Sequence, residues 1–292
     1  MATARPLPQP ATETAIDALA QALVNHSPVV AITGAGVSTG SGIPDYRDHL
    51  GAWKRGSPMQ LSEFTGSEVG RKRYWARSLV GWRTVEQAHP NRAHVALAGL
   101  ERAGVIGSVI TQNVDGLHQA AGSQSVLDLH GRLDQVECLG CRRVIARAEH
   151  QRELEAANPG WAEAGTRAAI TPDGDAELVG VDYAEFHVPA CRGCGGLLKP
   201  AVVFFGETVP KPRVEAAFAQ VAQAGALLIV GSSLMVWSGY RFVRAAAAAG
   251  QPVYVLGLGV TRGDAEATAR VTMDCGDGLN ALLRRTEAER GE

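Results

Sequence analysis

Four short apolar runs mark the chain, at 29–33 (VVAIT), 105–111 (VIGSVIT), 226–230 (ALLIV) and 252–256 (PVYVL). Runs of this length with few polar positions predict strands buried on both faces. A short helix is predicted ahead of the first run, at 15–25. Further helical segments separate the runs, for example at 93–102 and 214–222. The alanine run 245–249 predicts a helix end before Gly250. Apolar strands alternating with helices predict an α/β fold with a doubly wound, Rossmann-like parallel sheet. Two stretches break the alternation. Residues 50–89, rich in Trp, Arg and Tyr, predict a helical insertion. Residues 132–198 hold two cysteine pairs and predict a zinc-binding module. These two would form a small zinc-ribbon and helical domain. Residues 15–49, 90–131 and 199–292 would form the large domain, and 1–14 a disordered tail.

Composition narrows the picture. With 292 residues and 46% hydrophobic content, the chain can bury one large core and a smaller one. A net charge of -2 and a pI near 6.5 give no broad basic face, so nucleic acid is not an expected partner. The most apolar stretches are broken by Gly, Pro or charge, so no membrane partner is expected. The opening MATARPLPQPATET has no apolar segment of signal-peptide length. A cytoplasmic monomer is therefore the expectation.

Candidate chemistry begins at the end of the first run. The loop GAGVSTGSG (34–42) follows a predicted strand. Glycines there let backbone amides approach a pyrophosphate, and a following helix N-terminus would favour anionic oxygen. A tight strand-to-helix turn is the plainer alternative. The spacing is G-x-G-x-x-x-G, and no Asp or Glu stands at a strand end about 20 residues on, which argues against a dehydrogenase. Next to the loop, Asp45, Arg47 and Asp48 cluster around Tyr46, either as part of the site or as a solvated loop. The second run ends in a polar stretch: Gln112, Asn113, Asp115 and His118. Ligands bind beyond the carboxyl ends of strands in such sheets, so these side chains are expected in the same crevice, although Asn, Asp and Gly are also common in turns. His130, in LDLHGRL, stands just past an apolar stretch. An imidazole can take a proton from a hydroxyl near neutral pH, or it can be a hydrogen-bonded core residue.

The five cysteines include two C-x-x-C pairs, Cys138 with Cys141 and Cys191 with Cys194. Each pair offers two thiolates to one tetrahedral ion. Four cysteines without a histidine favour a closed structural zinc site over a redox dithiol. The segment between the pairs is longer than in common zinc ribbons and must loop out. Cys275 stands alone and reads as a small buried hydrophobe.

The stretches GAGVSTGSGIPDYRD, TQNVDGLH, LHG, the two cysteine pairs, KPAVVFFGE and GSSLMVWSG together resemble the sirtuin family, in family order, from about Val29 to the chain end. The segments YWARSLVGW, NPGW and DGD look closest to its class II branch, which includes a mitochondrial lipoamidase-like member of animals. The resemblance implies NAD consumed as co-substrate, one structural zinc ion, and acyl-lysine proteins or peptides as substrates. Nicotinamide, O-acyl-ADP-ribose and free lysine would be the products. It also implies roles. Gly34, Ala35, Gly36 and Thr39 would cradle phosphates, with Asp45, Tyr46 and Arg47 on a flexible cofactor loop. Gln112, Asn113 and Asp115 would hold nicotinamide and its ribose, with Asn113 counted with His130 in catalysis. His130 would be the general base. Gly231, Ser232 and Ser233 would contact the cofactor from a later strand end. Val203, Phe204, Phe205, Gly206 and Glu207, with 234–237 opposite, would flank a peptide added as a strand. Gly257 stands where sirtuins usually carry an Asn near the adenine ribose, so Gly257, Leu258 and Gly259 would offer backbone amides instead. Cys275 matches a late position near the cofactor. Tyr74 and Arg77, three residues apart on one helix face, resemble a pair that binds acidic acyl chains, which implies a carboxyacyl-lysine preference. Mono-ADP-ribosyl transfer to protein and a non-catalytic NAD-sensing zinc-ribbon module remain as alternatives.

Overall fold

The computed structural model describes residues 10–54, 58–161, 171, 173–178 and 180–290. In chain order the strands are β1 (Val29–Thr33), β2 (Ile106–Thr111), β3 (Val126–Asp128), β4 (Gly131–Cys138), β5 (Val144–Ala146), β6 (Leu198–Val202), β7 (Ala226–Val230), β8 (Val253–Leu256) and β9 (Ala269–Val271). The helices are α1 (Pro10–Asn25), α2 (Leu61–Gly66), α3 (Glu68–Glu86), α4 (Arg92–Arg102), α5 (Leu117–Ala120), α6 (Arg147–Ala157), α7 (Lys211–Gln223), α8 (Trp237–Ala248) and α9 (Cys275–Arg290).

Six strands form one sheet in the order β3-β2-β1-β7-β8-β9, and every pairing within it is parallel. The order reverses beside β1, which places a topological switch point between β1 and β7. Every residue of β1, β7 and β8 is buried. The alternation of β1 explains why. Val29 and Ala31 point into a core with α1, α4 and α9, including Leu23, Leu97 and Leu282. Val30 and Ile32 point into a second core with α7 and α8, including Val221 and Phe242. Successive side chains of a strand face opposite sides, so a strand between two helical layers must be apolar at every position.

A third core lies apart from the two that flank the six-stranded sheet. Phe64, Trp75, Leu79, Val136, Leu154, Phe186 and Leu198 pack together around a three-stranded antiparallel sheet, β5-β4-β6. Trp75 donates from Nε1 to the Leu198 carbonyl at 3.2 Å, which ties α3 to β6.

Several expectations shift. The first helix starts at Pro10 instead of 15, so 10–14 are helical and not a tail. Arg285 of α9 reaches Glu13 and Asp17 there, while 1–9 lie outside the described residues. β9 adds an edge strand beyond the run expected to be last. No α-helix follows the glycine loop. Two single 3₁₀ turns, Ala35–Val37 and Thr39–Ser41, occupy that place.

Candidate active site

At the carboxyl edge of the six-stranded sheet a cavity of ≈ 750 Å³ opens, lined also by residues of α3 and β4 and by 202–209. The glycine loop forms one lip. A Cβ at Gly34 would lie 2.8 Å from Cβ of Ser232, and one at Gly36 would lie 2.8 Å from the Gly231 carbonyl. Glycine is therefore required for β1 and β7 to end so close together, and the closeness leaves main chain facing the cavity. Thr39 Oγ1 donates to the Gly36 carbonyl at 3.0 Å and closes the turn.

A polar array continues from β2. Gln112 Nε2 donates to Ser232 Oγ at 2.7 Å and to the Thr33 carbonyl at 3.2 Å. Asn113 Nδ2 donates to the Gly34 carbonyl at 3.1 Å and to Ser38 Oγ at 2.9 Å. Ser38 donates onward to Asp115 at 2.7 Å, and Asp115 accepts from the Leu117 amide at 2.9 Å. Ser38 is buried and joins loop, amide and carboxylate into one fixed unit. Its place inside the GAGVSTG stretch is the signal that could have selected it.

His130 ends the stretch between β3 and β4. Its Nδ1 lies 3.0 Å from the Gln112 carbonyl and its Nε2 lies 2.7 Å from Ser238 Oγ. A carbonyl only accepts, so the neutral ring carries its proton on Nδ1 and leaves Nε2 as the base. Burial pushes the imidazole pKa down to about 4; the charges of Arg213 and Arg241 push the same way and the Gln112 bond opposes. The ring is thus uncharged and ready to accept a proton at neutral pH. The next residue, Gly131, has φ 85°, and a Cβ there would fall 2.0 Å from the Ala201 carbonyl. That close crossing of β4 and β6 is what fixes the His-Gly pair.

The cavity is lined by Gly34, Ala35, Gly36, Thr39, Asp45, Tyr46, Arg47, Gln112, Asn113, Asp115, His130, Gly231, Ser232, Ser233, Gly257, Leu258, Gly259 and Cys275. Asp45 is paired with Lys54 at 2.5 Å. Arg47 lies over the Trp53 ring, 4.0 Å from its centroid, and donates to the Gly51 carbonyl at 2.8 Å. Burial pushes the Cys275 thiol up to about 12 with help from Asp274, so it is a protonated wall residue and no nucleophile.

His118 departs from expectation. It is buried away from the cavity, 2.9 Å from Thr33 Oγ1 through Nε2, with its ring 4.9 Å from that of His94. Burial holds His118 at about 3 and His94 at about 4. The pair supports the loop from behind. Asp48 lines the cavity while accepting from the Leu50 and Ala52 amides of its own turn.

The opposite wall carries Val203, Phe204, Phe205, Gly206 and Glu207, facing Met235, Val236 and Trp237. Glu207 accepts from the Phe204 amide at 2.9 Å and from Lys199 at 3.1 Å, which locks this segment. Leu234 adopts φ 54°, a left-handed conformation that a branched residue holds only under tertiary constraint. Deeper, Tyr74, Val85, Val114, Leu133, Val202 and Asp173 line the cavity. Tyr74 is buried against Phe64 and Phe204. Arg77 is not part of the lining; its Nε donates to the Ala176 carbonyl at 2.8 Å. Helical spacing put the two side chains on one face, but the 173–176 segment occupies the guanidinium.

The four paired cysteines converge. Their sulfurs all lie within 4.8 Å of one another, with Cys138 3.4 Å from Cys194 and Cys141 3.8 Å from Cys191. A tetrahedral Zn²⁺ with Zn–S bonds of ~2.3 Å requires sulfurs roughly 3.8 Å apart. The donor set and spacing fit one zinc ion, far in character from a catalytic site because no position is left open.

A parallel sheet whose carboxyl edge presents a glycine cradle, an amide–hydroxyl–carboxylate array and a neutral imidazole defines a dinucleotide-dependent α/β enzyme. Comparison with known proteins takes this to a family. The Sir2 family matches residues 34–238, and the chain belongs to the Sir2 family, the sirtuins. An NAD-dependent protein deacetylase of Xanthomonas campestris pv. campestris (strain 8004) is 54% identical over 91% of this chain and 90% of its own length. One of Bordetella bronchiseptica is 54% identical over 86% of this chain and 91% of its own. Among solved structures, a Sir2 complex with a p53 peptide and NAD+ superposes with a TM-score of 0.68 at 31% identity, covering 93% of this chain and 97% of that one. A mutant Sir2 homologue bound to ADP-ribose gives 0.73 at 28% identity over 94% and 97%.

Proposed function

We propose that this chain is an NAD-dependent protein lysine deacetylase that yields nicotinamide, O-acetyl-ADP-ribose and free lysine. The carrying observation is His130. It is an uncharged imidazole whose accepting nitrogen faces a cavity shared with the Gly34–Gly36 cradle and the Gln112, Asn113 and Asp115 array. NAD, when bound, supplies the reactive ribose carbon and the nicotinamide leaving group. Main-chain amides of 34–36 and the ends of β7 and β8 would hold its phosphates and adenosine. Asn113 and Asp115, fixed through Ser38, would orient nicotinamide and the ribose hydroxyls. His130 Nε2 would take a proton from a ribose hydroxyl, and the charges of Arg213 and Arg241 return that proton readily by disfavouring the imidazolium. The acetyl-lysine peptide would run between the 203–207 segment and 235–237, and the domain walls would exclude water from the reacting carbon. The chain fits the class II branch through its YWARSLVGW, NPGW and DGD segments. A cytoplasmic monomer remains the proposed state; among the described residues no helix is long and apolar enough to cross a membrane.

The acyl end of the cavity favours uncharged chains. Its walls are Val85, Val114, Leu133, Val202 and Tyr74, and Asp173 is the acid among them. A carboxyacyl chain would meet Asp173 and would need Arg77 to leave the Ala176 carbonyl. The test is a panel of acetyl-, succinyl- and glutaryl-lysine peptides with and without NAD. Deacetylation that depends on NAD, with nicotinamide released in step, is the expected result. No NAD-dependent loss of any acyl mark would overturn the assignment.

A further inference from the structure

We infer that Ser238 is a positioning residue for the reaction: its hydroxyl holds the base nitrogen of His130 until a ribose hydroxyl takes its place. The inference rests on the deacetylase reading for its consequence in turnover, but the contact itself stands on geometry alone. Ser238 sits in the first turn of α8, 108 positions along the chain from His130, and its Oγ is 2.7 Å from His130 Nε2. The Gln112 carbonyl fixes the proton on Nδ1, so Ser238 must donate and Nε2 must accept.

The placement of Ser238 is constrained from two sides. A Cβ on the following residue, Gly239, would lie 2.7 Å from Gln112 Oε1, so a side chain there would have to displace the Gln112 amide from its place beside the start of α8. Gln112 in turn is held by Ser232 and the Thr33 carbonyl. One residue thus anchors both ends of the imidazole: Gln112 binds Nδ1 directly and seats the turn that brings Ser238 to Nε2. The Ser238 carbonyl also accepts from Arg241 Nε at 3.0 Å.

Two consequences follow. The lone pair that must accept the ribose proton is already aligned before the cofactor arrives, because the ring cannot rotate without breaking a bond at each nitrogen. Protonating Nε2 reverses the Ser238 bond: an imidazolium N–H cannot accept, so the hydroxyl rotates and accepts from it, a charge-assisted contact. The other charged side chains facing the ring are Arg213 from α7 and Arg241 from α8, both cationic. Among the described residues the charges acting on the ring are these two cations, and the Ser238 hydroxyl is the neutral contact that a single substitution can remove.

The experiment compares wild type, Ser238→Ala and Ser238→Thr. First, the His130 imidazole is titrated by NMR in the zinc-loaded, NAD-free protein, with His130→Asn identifying its resonance. Because the bond to the charged ring is the stronger one, loss of the hydroxyl is expected to lower the midpoint by roughly half to one unit in Ser238→Ala, with Ser238→Thr close to wild type. Second, kcat/KM for an acetyl-lysine peptide is followed against pH. The acid limb is expected to shift downward with the imidazole, and kcat near neutral pH to fall by about 3- to 10-fold. An unchanged imidazole midpoint in Ser238→Ala overturns the inference whether or not the protein deacetylates anything. A shifted midpoint with an unshifted acid limb overturns the role in turnover.

Discussion

The crevice edge and the wall across from it are built by different means. The edge is made of main chain and short polar side chains: Asn113 bonds to Gly34 and Ser38, Ser38 to Asp115, and Gln112 to Ser232, over distances of about 3 Å. The wall is backed by large side chains packed in a separate core, including Phe64 from α2, Trp75 from α3, Val136 from β4, Leu198 from β6 and Phe204 just after β6. Substitution in the first should alter chemistry and leave stability nearly intact. Substitution in the second should alter stability, with activity lost as a result. Keeping the site's rigid polar half on the sheet and its shape-determining half on a zinc-stapled domain lets the two be varied separately.

The hardest test of that division is His130→Ala. Loss of a general base costs about 10²- to 10⁴-fold in rate, and the expected thermal midpoint differs little from wild type because the ring lines the cavity and belongs to none of the hydrophobic cores. A variant that loses its fold along with its activity would erase the distinction. Zinc removal should do the reverse. The four-sulfur cluster joins the end of β4 to the turn before β6, and structural zinc sites contribute on the order of 10 kcal/mol of folding free energy. Chelation, or Cys191→Ser, is expected to abolish ordered small-domain structure by circular dichroism and fluorescence, with activity falling in proportion to zinc content.

Trp75→Ala probes the wall without touching the metal. It removes a fully buried ring and the bond to the Leu198 carbonyl, at an expected cost of about 3–5 kcal/mol in urea denaturation. Acidification should weaken both halves. The imidazoles of His130, His94, His118 and His150 are pushed down to between about 3 and about 4, chiefly by burial. An unfolded histidine titrates near 6.5, so between that value and about 4 the unfolded chain binds more protons. Stability is therefore complete above about pH 6.5 and falls as pH drops through this window. Thermal midpoints measured from pH 7.5 to 4.5 should decline steadily; a flat profile would mean that these rings are solvated. The smallest effect is expected for Arg77→Met. With its guanidinium turned to the Ala176 carbonyl, the ratio of acetyl to succinyl turnover should change by less than about 3-fold. A large loss of succinyl turnover would show that the wall reads charge after all.

The apolar runs alone located the core strands: β1 and β7 fall at the expected residues, and β2 and β8 begin one residue late. Period-2 burial in a sheet covered on both faces leaves no other pattern open. Glycine spacing, the C-x-x-C pairs and the polar stretch after β2 were legible for a related reason: each is a few consecutive residues whose backbone shape carries its chemistry. β9 escaped notice because its three residues, Ala269–Val271, run from exposed to buried with a single core side chain and carry little pattern. The fate of His118 and Arg77 was also hidden. Both have polar neighbours that suggest a site, yet one turns behind the sheet and the other is taken up by a carbonyl 99 positions away. What the sequence determined by itself was every feature encoded within a few residues, namely the sheet, the cradle and the metal ligands. Only the tertiary structure decided which polar groups meet, as with Ser38 between Asn113 and Asp115 and Ser238 against His130. Those partners lie 75 or more positions apart, and a hydrogen bond is set by distances of a few ångströms that no local pattern records.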